Sequence, residues 1–321
     1  MKKVKAFAPA TVANMGCGFD IMGMTLNGVG DVVSVEVSEG DELIINNVSG
    51  VGLPDDIEKN VITPAVRALM AAAGMKRKIE VTVEKKILPG SGIGSSAASS
   101  AAAVYALNEA LDRPFSDERL VEFAMEGEKL ISNGVPHADN VAPAILGGVV
   151  LLRSYEPLDI FLLRAKAVGG AGALIRIMKY FCCTVAHPEI MVSTAMARQV
   201  LPKEISMHTA VTQWGNVAGL VAGLTMGDID LVGRSMKDVV AEPHRKQFIP
   251  GFDQLKEEVL AMGALAMNIS GAGPSVFALS KNMQSAANIG YAMEKHFKKL
   301  GHNADIYVTK VSNIGAQIIK N

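Results

Sequence analysis

The sequence lacks an excess of charge of either sign, because its 321 residues contain 31 Lys and Arg against 32 Asp and Glu, a formal net charge of −1. Proteins that bind nucleic acid or anionic lipid carry a basic patch or stripe that neutralises phosphate groups. This balance therefore argues against nucleic acid and membrane as partners. Long charged or low-complexity tracts are missing too, and 49% of the residues are hydrophobic. We expect a chain that buries a large core.

Cysteine is scarce, and a membrane-spanning run is missing. Cys17, Cys182 and Cys183 cannot form a framework of paired disulfides, which favours a reducing compartment. The longest apolar stretch, 141–152, contains Pro143 and is shorter than the ~20 residues that a membrane helix needs. The sequence therefore predicts a soluble, cytoplasmic protein.

Strands and helices are mixed along the whole chain, which predicts an α+β (mixed α/β) class. The Gly- and Ala-rich stretch 167–173 is the best linker candidate, so we expect two domains, 1–166 and 167–321. Period-two alternation and apolar runs predict strands at 4–13, 31–37, 79–87, 147–153 and 181–186. Helical spacing and capping residues predict helices at 60–73, 96–111, 116–131, 193–200 and 209–224.

A glycine-rich segment at 88–98 reads Leu-Pro-Gly-Ser-Gly-Ile-Gly-Ser-Ser-Ala-Ala and joins a predicted strand to a helix. Alternate glycines let the backbone turn tightly and approach a ligand closely. The following helix offers free N–H groups and the positive end of its dipole to an anion. Ser95 and Ser96 add hydroxyl groups for phosphate oxygens or a cation. A plain turn between a strand and a helix is the competing interpretation.

Two common nucleotide-binding motifs are excluded by the residues around this segment. A Walker A loop ends in Gly-Lys-Ser/Thr, and no Lys lies in 88–98. A Rossmann fingerprint needs a second strand that ends in an acidic residue about 20 residues further on. Here the predicted helix runs through 111–114 directly into another helix. Any phosphate site in this chain is therefore of a different type.

Three motifs together resemble those of the GHMP kinase superfamily. Residues 89–98 resemble its phosphate-binding loop, with Ile93 in place of the usual Leu. Residues 8–20 resemble its N-terminal motif, and residues 270–275, Ser-Gly-Ala-Gly-Pro-Ser, resemble its C-terminal motif. The resemblance implies an N-terminal domain like domain 2 of ribosomal protein S5, a ferredoxin-like C-terminal domain, and ATP as the phosphoryl donor. It also implies that the second glycine-rich turn packs beside the phosphate loop.

Within this superfamily the sequence most resembles the homoserine kinases, through residues 13–20, 136–143 and 236–245. That implies L-homoserine as the small-molecule substrate and O-phospho-L-homoserine as the product, a step in threonine biosynthesis. Cys17 stands where Pro is usual, and residues 165–178 match no motif. Another GHMP kinase acting on mevalonate or a sugar, and a non-catalytic ligand-binding relative, remain as alternatives. The oligomeric state stays open, with a homodimer as a candidate.

The resemblance also assigns the residues that bind the nucleotide and its cation. Glu128 lies toward the apolar side of its predicted helix, where a carboxylate needs a partner. The resemblance implies that Glu128 and Ser96 hold Mg²⁺, with the edge of a solvated face as the alternative for Glu128. The implied ATP-binding residues are Pro89, Gly90, Ser91, Gly92, Ile93, Gly94, Ser95, Ser96 and Ala97.

The remaining assignments concern a substrate that is a small zwitterion carrying a hydroxyl group. By resemblance, Arg198 and Arg245 bind its carboxylate, because a guanidinium fork fits that group. Thr194 lies one helical turn before Arg198 and would share its face. The other implied substrate contacts are Asn14, Asp20 and His137, with Asn140 orienting the hydroxyl group. Turn formation is the alternative role for Asn14 and Asp20. Whether Asp139 acts as a base, or no base is used, stays open.

Overall fold

The computed structural model describes residues 2–48, 53–54, 56–132, 134–163 and 181–320. The predicted linker at 167–173, and with it the boundary between 166 and 167, lies outside the described residues. The division into 1–166 and 167–321 therefore stays a prediction.

The first sheet has seven described strands. They are β1 Lys2–Ala13, β2 Met22–Ser38, β3 Leu43–Asn47, β4 Lys78–Glu84, β5 Val149–Tyr155, β6 Leu158–Leu162 and β11 Gln317–Ile319. Their order is β11-β1-β2-β4-β3, and β5 pairs with the start of β2 and with β6. All pairs are antiparallel except β3 with β4. The last strand of the chain thus returns to the first sheet.

The second sheet has four described strands in the order β10-β7-β9-β8, all antiparallel. They are β7 Cys182–Pro188, β8 Ala266–Ile269, β9 Val276–Ser280 and β10 Ala304–Lys310. Buried side chains of β1 and β2, such as Val12 and Met24, share one apolar cluster with Val185 and Phe277 of this sheet. A continuous core therefore joins the two sheets and fixes the residues that lie between them.

Ten described α-helices surround the two sheets. They are α1 Ile62–Ala73, α2 Ser95–Ala110, α3 Asp117–Ile131, α4 Ala138–Leu146, α5 Thr194–Gln199, α6 Met207–Met226, α7 Ile229–Ser235, α8 Glu242–Arg245, α9 Phe252–Ala261 and α10 Met283–Lys299. Helix α2 is the central one, because its run of Ala and Ser lets it pack closely on β1 and β2 with almost every residue buried. Within the described part of the chain, no helix is long and apolar enough to cross a bilayer.

The predicted class and the ten predicted elements are confirmed, with shifted ends. The side chain of Ser116 accepts a hydrogen bond from the N–H of Arg119, as expected of an N-cap. The strand predicted at 79–87 is too long, because Asp31 accepts the N–H groups of Lys86 and Ile87 and so ends the ladder at Glu84. The strand predicted at 31–37 is the second part of the longer β2.

Candidate active site

The phosphate-loop candidate turns through three left-handed glycines. Gly90, Gly92 and Gly94 have φ angles of +78°, +71° and +71°, values that a residue with a Cβ rarely adopts. Gly94 is also crowded, since a Cβ there would lie 2.1 Å from Oγ1 of Thr11. Helix α2 begins after Gly94, and among the described contacts no side chain accepts a capping hydrogen bond from its first N–H groups. The first N–H groups of α2 therefore remain available to an anion.

The second glycine-rich turn supports this loop, as the sequence predicts. The hydroxyl of Ser270 donates to the carbonyl of Gly92 at 2.6 Å, and the hydroxyl of Ser275 donates to the carbonyl of Ser91. A Cβ on Gly92 would lie 3.0 Å from the carbonyl oxygen of Ser270, so the two turns approach as closely as glycine permits. These contacts hold the carbonyls of Ser91 and Gly92 in place.

A buried ion pair beneath α2 is a feature that the sequence analysis missed. The ammonium of Lys85 donates to Asp31 at 2.5 Å, to Ser99 Oγ at 2.9 Å and to the carbonyl of Ser95 at 2.8 Å. Lys85 is 4% exposed and Asp31 is fully buried. Ser99 donates to the same carboxylate. The pair therefore ties β2 and the end of β4 to the first turn of the helix that follows the phosphate loop.

A cavity of about 410 Å³ opens over the loop, a size typical of small-molecule sites. Its walls come from both halves of the described chain, including Asn60 and Val61 from the first half and Thr194 and Ala272 from the second. Six of the predicted nucleotide-binding residues line it: Pro89, Gly90, Gly92, Gly94, Ser95 and Ser96. The other three, Ser91, Ile93 and Ala97, do not line the cavity and are fully buried. The hydroxyl of Ser95 donates to the carbonyl of Ile87, whereas Ser96 contributes a hydrogen bond to Glu128.

Glu128 projects from α3 into the same cavity and is 5% exposed, so it does not lie on a solvated edge. Its Oε1 atom has no hydrogen-bond partner among the described residues. Burial raises the pKa of the Glu128 carboxyl to about 7, although a hydrogen bond from Ser96 and the charge of Lys85 act in the opposite direction. A buried carboxylate oxygen without a partner, beside a serine hydroxyl that contacts the same carboxyl group, is a donor set that suits Mg²⁺, which takes one or two protein oxygens.

A second, smaller cavity of about 80 Å³ adjoins the first. It brings together all seven residues that were predicted to act on the substrate: Asn14, Asp20, His137, Asn140, Thr194, Arg198 and Arg245. Glu128, Asn140 and Thr194 line both cavities. A group that is bound in the smaller cavity therefore faces the phosphate loop across these three side chains.

Two charged residues of the smaller cavity, Asp20 and Arg198, are already paired with each other. Arg198 Nη2 lies 2.7 Å from Asp20 Oδ2 and close to the ring nitrogens of His137. Asp20, which was predicted as a substrate contact, thus also neutralises an arginine. Arg245 is buried, donates to the carbonyls of Ala197 and Gly271, and lies with its guanidinium carbon 4.9 Å from the ring centre of Phe19.

Asn14 has a structural role in this cavity. Its amide nitrogen donates to the carbonyl of Gly271 at 2.9 Å, and its amide oxygen accepts the N–H of Asp20 at 3.0 Å. Asn14 and Asp20 both adopt positive φ angles, +69° and +59°. The turn-forming interpretation is therefore satisfied for Asn14, which joins the first loop of the chain to the second glycine-rich turn.

Helix α4 places Asp139 and Asn140 at the junction of the two cavities. Pro143 has no N–H group, so the carbonyl of Asp139 lacks its usual hydrogen bond within the helix. Strand β2 approaches this carbonyl so closely that a Cβ on Gly23 would lie 1.8 Å from it. Burial raises the pKa of the Asp139 carboxyl to about 8, with the charges of Asp20 and Glu128 acting in the same direction. Burial and the two neighbouring carboxylates thus favour the neutral form of Asp139 more than water does.

Asn140 is held by a residue that the sequence analysis also missed. The hydroxyl of Thr11 donates to Asn140 Oδ1 at 2.8 Å, so the amide nitrogen of Asn140 is the atom turned toward a ligand. The backbone N–H of Thr11 in turn donates to the carbonyl of Ile93 at 3.1 Å. Thr11 therefore connects the phosphate loop to Asn140 through two hydrogen bonds.

Comparison with known proteins decides the family. The model of the GHMP kinases N terminal domain matches residues 60–148, and that of the GHMP kinases C terminal region matches residues 218–299. A homoserine kinase of Chlorobium phaeovibrioides is 44% identical over 99% of this chain and 100% of its own length. The chain belongs to the GHMP kinase family.

Curated homoserine kinases are similar to this GHMP kinase over its whole length. A second relative, the homoserine kinase of Chloroherpeton thalassium, is 42% identical over 99% of this chain and 100% of its own length. The crystal structure of homoserine kinase from Cytophaga hutchinsonii is similar with a TM-score of 0.90 and 45% identity, covering 99% of this chain and 98% of that one. The predicted GHMP kinase fold is confirmed.

Proposed function

We propose that this GHMP kinase transfers the γ-phosphoryl group of ATP to the side-chain hydroxyl of L-homoserine. The products are O-phospho-L-homoserine and ADP, and the reaction serves threonine biosynthesis. The observation that carries the proposal is the pair of adjoining cavities, one over a phosphate loop and one lined by opposite charges, with Asn140 and Thr194 on both. The similarity to homoserine kinases over the full chain supports the choice of substrate.

On the nucleotide side, the backbone N–H groups at the start of α2 bind the phosphates of ATP and stabilise charge that develops during transfer. Ser96 and Glu128 hold Mg²⁺, which is supported by the orphaned Oε1 of Glu128. When bound, this ion neutralises the β- and γ-phosphate oxygens. Lys85 does not replace it, because its ammonium is already bound to Asp31, Ser95 and Ser99.

On the acceptor side, the existing charge pair explains how a zwitterion is selected. The ammonium of L-homoserine binds Asp20, and its carboxylate binds the guanidinium groups of Arg198 and Arg245, so each charge of the substrate meets an opposite one. His137 lies against both Asp20 and Arg198 and closes this end of the cavity. A neutral sugar would leave these charges without new partners, which costs binding free energy.

Transfer itself depends on position more than on proton abstraction. Asn140 donates its amide N–H to the acceptor hydroxyl and, with Thr194, holds that oxygen toward the phosphate loop. Positioning and charge stabilisation supply most of the catalysis of phosphoryl transfer, so the reaction tolerates the lack of a base. Asn140 lines both cavities whereas Asp139 lines only the smaller one, which supports Asn140 as the residue that meets the acceptor hydroxyl.

The proposal is tested by measuring ADP release with MgATP and L-homoserine, beside D-homoserine, L-serine, mevalonate and galactose. Selective turnover of L-homoserine is the expected result. Turnover of only a sugar or mevalonate would keep the ATP site and reject the roles given to Asp20, Arg198 and Arg245. No turnover of any acceptor would favour a non-catalytic ligand-binding protein.

We also propose that the enzyme acts in the cytoplasm. Its three cysteines, Cys17, Cys182 and Cys183, are all free and buried, which suits a reducing compartment. Fractionation of cells that produce the protein at its native level tests this proposal, and recovery outside the cytoplasmic fraction would reject it.

A further inference from the structure

His187 is a buried histidine that the proposed mechanism does not use. It belongs to β7 and is 8% exposed. Pro188 follows it, and the chain then leaves the sheet toward α5, which carries Thr194 and Arg198. A buried polar side chain normally has a hydrogen-bond partner. The partner of this ring therefore indicates what the ring does.

That partner is Ser275, which lies opposite His187 across two paired strands. Ala186 of β7 pairs with Val276 of β9 in antiparallel register, so His187 and Ser275 are the next two residues in the same register. Nδ1 of His187 lies 3.0 Å from Oγ of Ser275, and Ser275 is fully buried. The contact therefore lies where the second glycine-rich turn enters β9.

The hydrogen bond between His187 and Ser275 can run in only one direction. The hydroxyl of Ser275 donates to the carbonyl of Ser91, and a serine hydroxyl has a single hydrogen to donate. Ser275 must therefore accept at its oxygen, and Nδ1 of His187 must donate. Burial lowers the pKa of the His187 ring, which favours its neutral form. A neutral ring carries hydrogen on one nitrogen alone, so the structure requires the tautomer that is protonated on Nδ1.

The carbonyl of Ser91 belongs to the same peptide group as the N–H of Gly92. This peptide bond is trans, and in a planar trans peptide the C=O and N–H point in opposite directions. A hydrogen bond that fixes the carbonyl of Ser91 therefore also fixes the direction of the N–H of Gly92. Gly92 lines the cavity over the phosphate loop, and backbone N–H groups of such loops bind phosphate oxygens.

We infer that His187 is a positioning residue for the nucleotide, because through Ser275 it holds the peptide between Ser91 and Gly92 so that the N–H of Gly92 meets a phosphate oxygen. We name His187, Ser275 and the carbonyl of Ser91 the His187 relay. This role rests on the proposed function in that ATP binds over the phosphate loop, but not on the identity of the acceptor. Without the ring, the hydroxyl of Ser275 can rotate away from Ser91. A loop that is less ordered in the free protein then loses more conformational entropy on binding.

Three substitutions at one position test the relay. In His187→Asn the amide nitrogen takes the place of Nδ1 and can still donate to Ser275. In His187→Gln the longer side chain carries its amide nitrogen to the place of Nε2, and His187→Ala has no donor. We measure the Kd of MgATP by isothermal titration calorimetry without an acceptor. The Kd should rise about 5- to 10-fold in His187→Gln and His187→Ala, the equivalent of one hydrogen bond, and stay within about two-fold of wild type in His187→Asn.

The tautomer of the wild-type ring is an independent readout. Nitrogen chemical shifts of an imidazole distinguish the two neutral tautomers by NMR, and the signal of His187 is the one that disappears in His187→Asn. We expect it to belong to a ring protonated on Nδ1, and Ser275→Ala should remove this preference. His296→Ala is the matched control, because His296 is a second histidine with a mostly buried side chain, 11% exposed, and lies against Phe297. It should leave the Kd of MgATP unchanged.

A His187 ring protonated on Nε2 overturns the inference, because Ser275 would then donate to the ring and not to Ser91. So does an unchanged Kd in all three variants, and so do equal losses in all three, which would assign the effect to the shape of the ring. If His187→Ala fails to fold by circular dichroism, the comparison of His187→Asn with His187→Gln and the wild-type spectrum still decide. A wild-type chain that binds no MgATP rejects the proposed function and the relay together. Binding of MgATP without turnover of L-homoserine rejects the acceptor alone.

Discussion

Lys85 and Asp31 carry opposite charges at a place where neither can reach water. A buried ion pair contributes little net stability when intact, but removal of one partner leaves an uncompensated charge that costs about 3–5 kcal/mol. We expect Lys85→Met and Asp31→Asn each to lower the free energy of unfolding by about this amount in urea denaturation. Because Lys85 also binds the carbonyl of Ser95, both variants should raise the KM for ATP.

The control for this pair is Lys86→Met, at the exposed neighbouring position; it should change the stability by less than about 0.5 kcal/mol. The double variant Lys85→Met with Asp31→Asn should be more stable than the sum of the two single changes indicates. Additive losses would show that the two side chains do not act as a pair.

The ion pair of Lys85 with Asp31 could have been predicted, because both residues continue the alternation of inward and outward side chains along their strands. Lys85 continues the inward positions Ile79, Val81 and Val83, and Asp31 precedes the inward Val33. Two opposite charges in inward register on adjacent strands indicate a buried ion pair. The contact of Arg198 with Asp20 was out of reach, because the two residues are 178 positions apart and no local pattern relates them.

Asp139 gives the protein a dependence of stability on pH. Its pKa is raised from 3.8 to about 8 in the folded state, so the folded chain holds this proton more tightly than the unfolded chain. The stabilising effect of this proton is complete below about pH 4 and is lost as pH rises through about 8. The loss amounts to a few kcal/mol, since one pKa unit corresponds to about 1.4 kcal/mol. Asp139→Asn should make the fall in the free energy of unfolding between pH 5 and 8.5 less steep, and the raised pKa of Glu128 accounts for the fall that remains.

The same variant separates the two mechanisms of phosphoryl transfer. If no base is used, Asp139→Asn keeps nearly the full kcat with L-homoserine. A loss of about 10²–10⁴-fold, as expected when a general base is removed, would assign that role to Asp139. An unfolding free energy that falls as steeply with pH in the variant as in the wild type would locate the titrating group elsewhere.

At the scale of an element, the phosphate loop offers a pair of glycines that differ in one respect. Gly90 and Gly94 both have φ angles above +70°. A Cβ added at Gly90 would meet nothing within 4 Å, whereas a Cβ added at Gly94 would lie 2.1 Å from Thr11 Oγ1. Gly90→Ala should cost about 1–2 kcal/mol from backbone strain alone. Gly94→Ala should cost clearly more, and should also lower kcat, because Thr11 positions Asn140. Equal losses in urea denaturation would contradict the steric argument.

Elements with a regular pattern and a cap were predictable, and α4 was not. The helices beginning after Ser116 and Ser193 have an N-cap whose hydroxyl accepts a backbone N–H. Helix α4 contains Pro143, which normally indicates a break, and His137 at its N-terminus makes no side-chain cap. Tertiary contacts hold it in place, since the hydroxyl of Thr25 on β2 donates to the carbonyl of Pro143 at 2.6 Å.

At the scale of the whole molecule, the site is assembled from both sheets. Asp20 lies between β1 and β2 of the first sheet, and Arg198 lies on α5, which follows β7 of the second. Other contacts cross the same junction, including those of Ser270 with Gly92 and of Asn14 with Gly271. Substrate binding should therefore stabilise the molecule as a unit, by about 2.7 kcal/mol at a ligand concentration of 100 times Kd.

At this junction, we expect Asp20 and Arg198 to bind substrate and to contribute little to the stability of the fold. Both side chains are more than a quarter exposed, so solvent screens the pair and Asp20→Ala should cost less than about 1 kcal/mol of stability. The same change removes the partner of the substrate ammonium, and should raise the KM for L-homoserine about 30-fold or more while the KM for ATP changes little. Asp159→Ala, which breaks the surface contact with Arg153, is the control and should alter neither constant. If Asp20→Ala instead unfolded the protein or raised both constants equally, Asp20 would be a structural bridge between the two sheets.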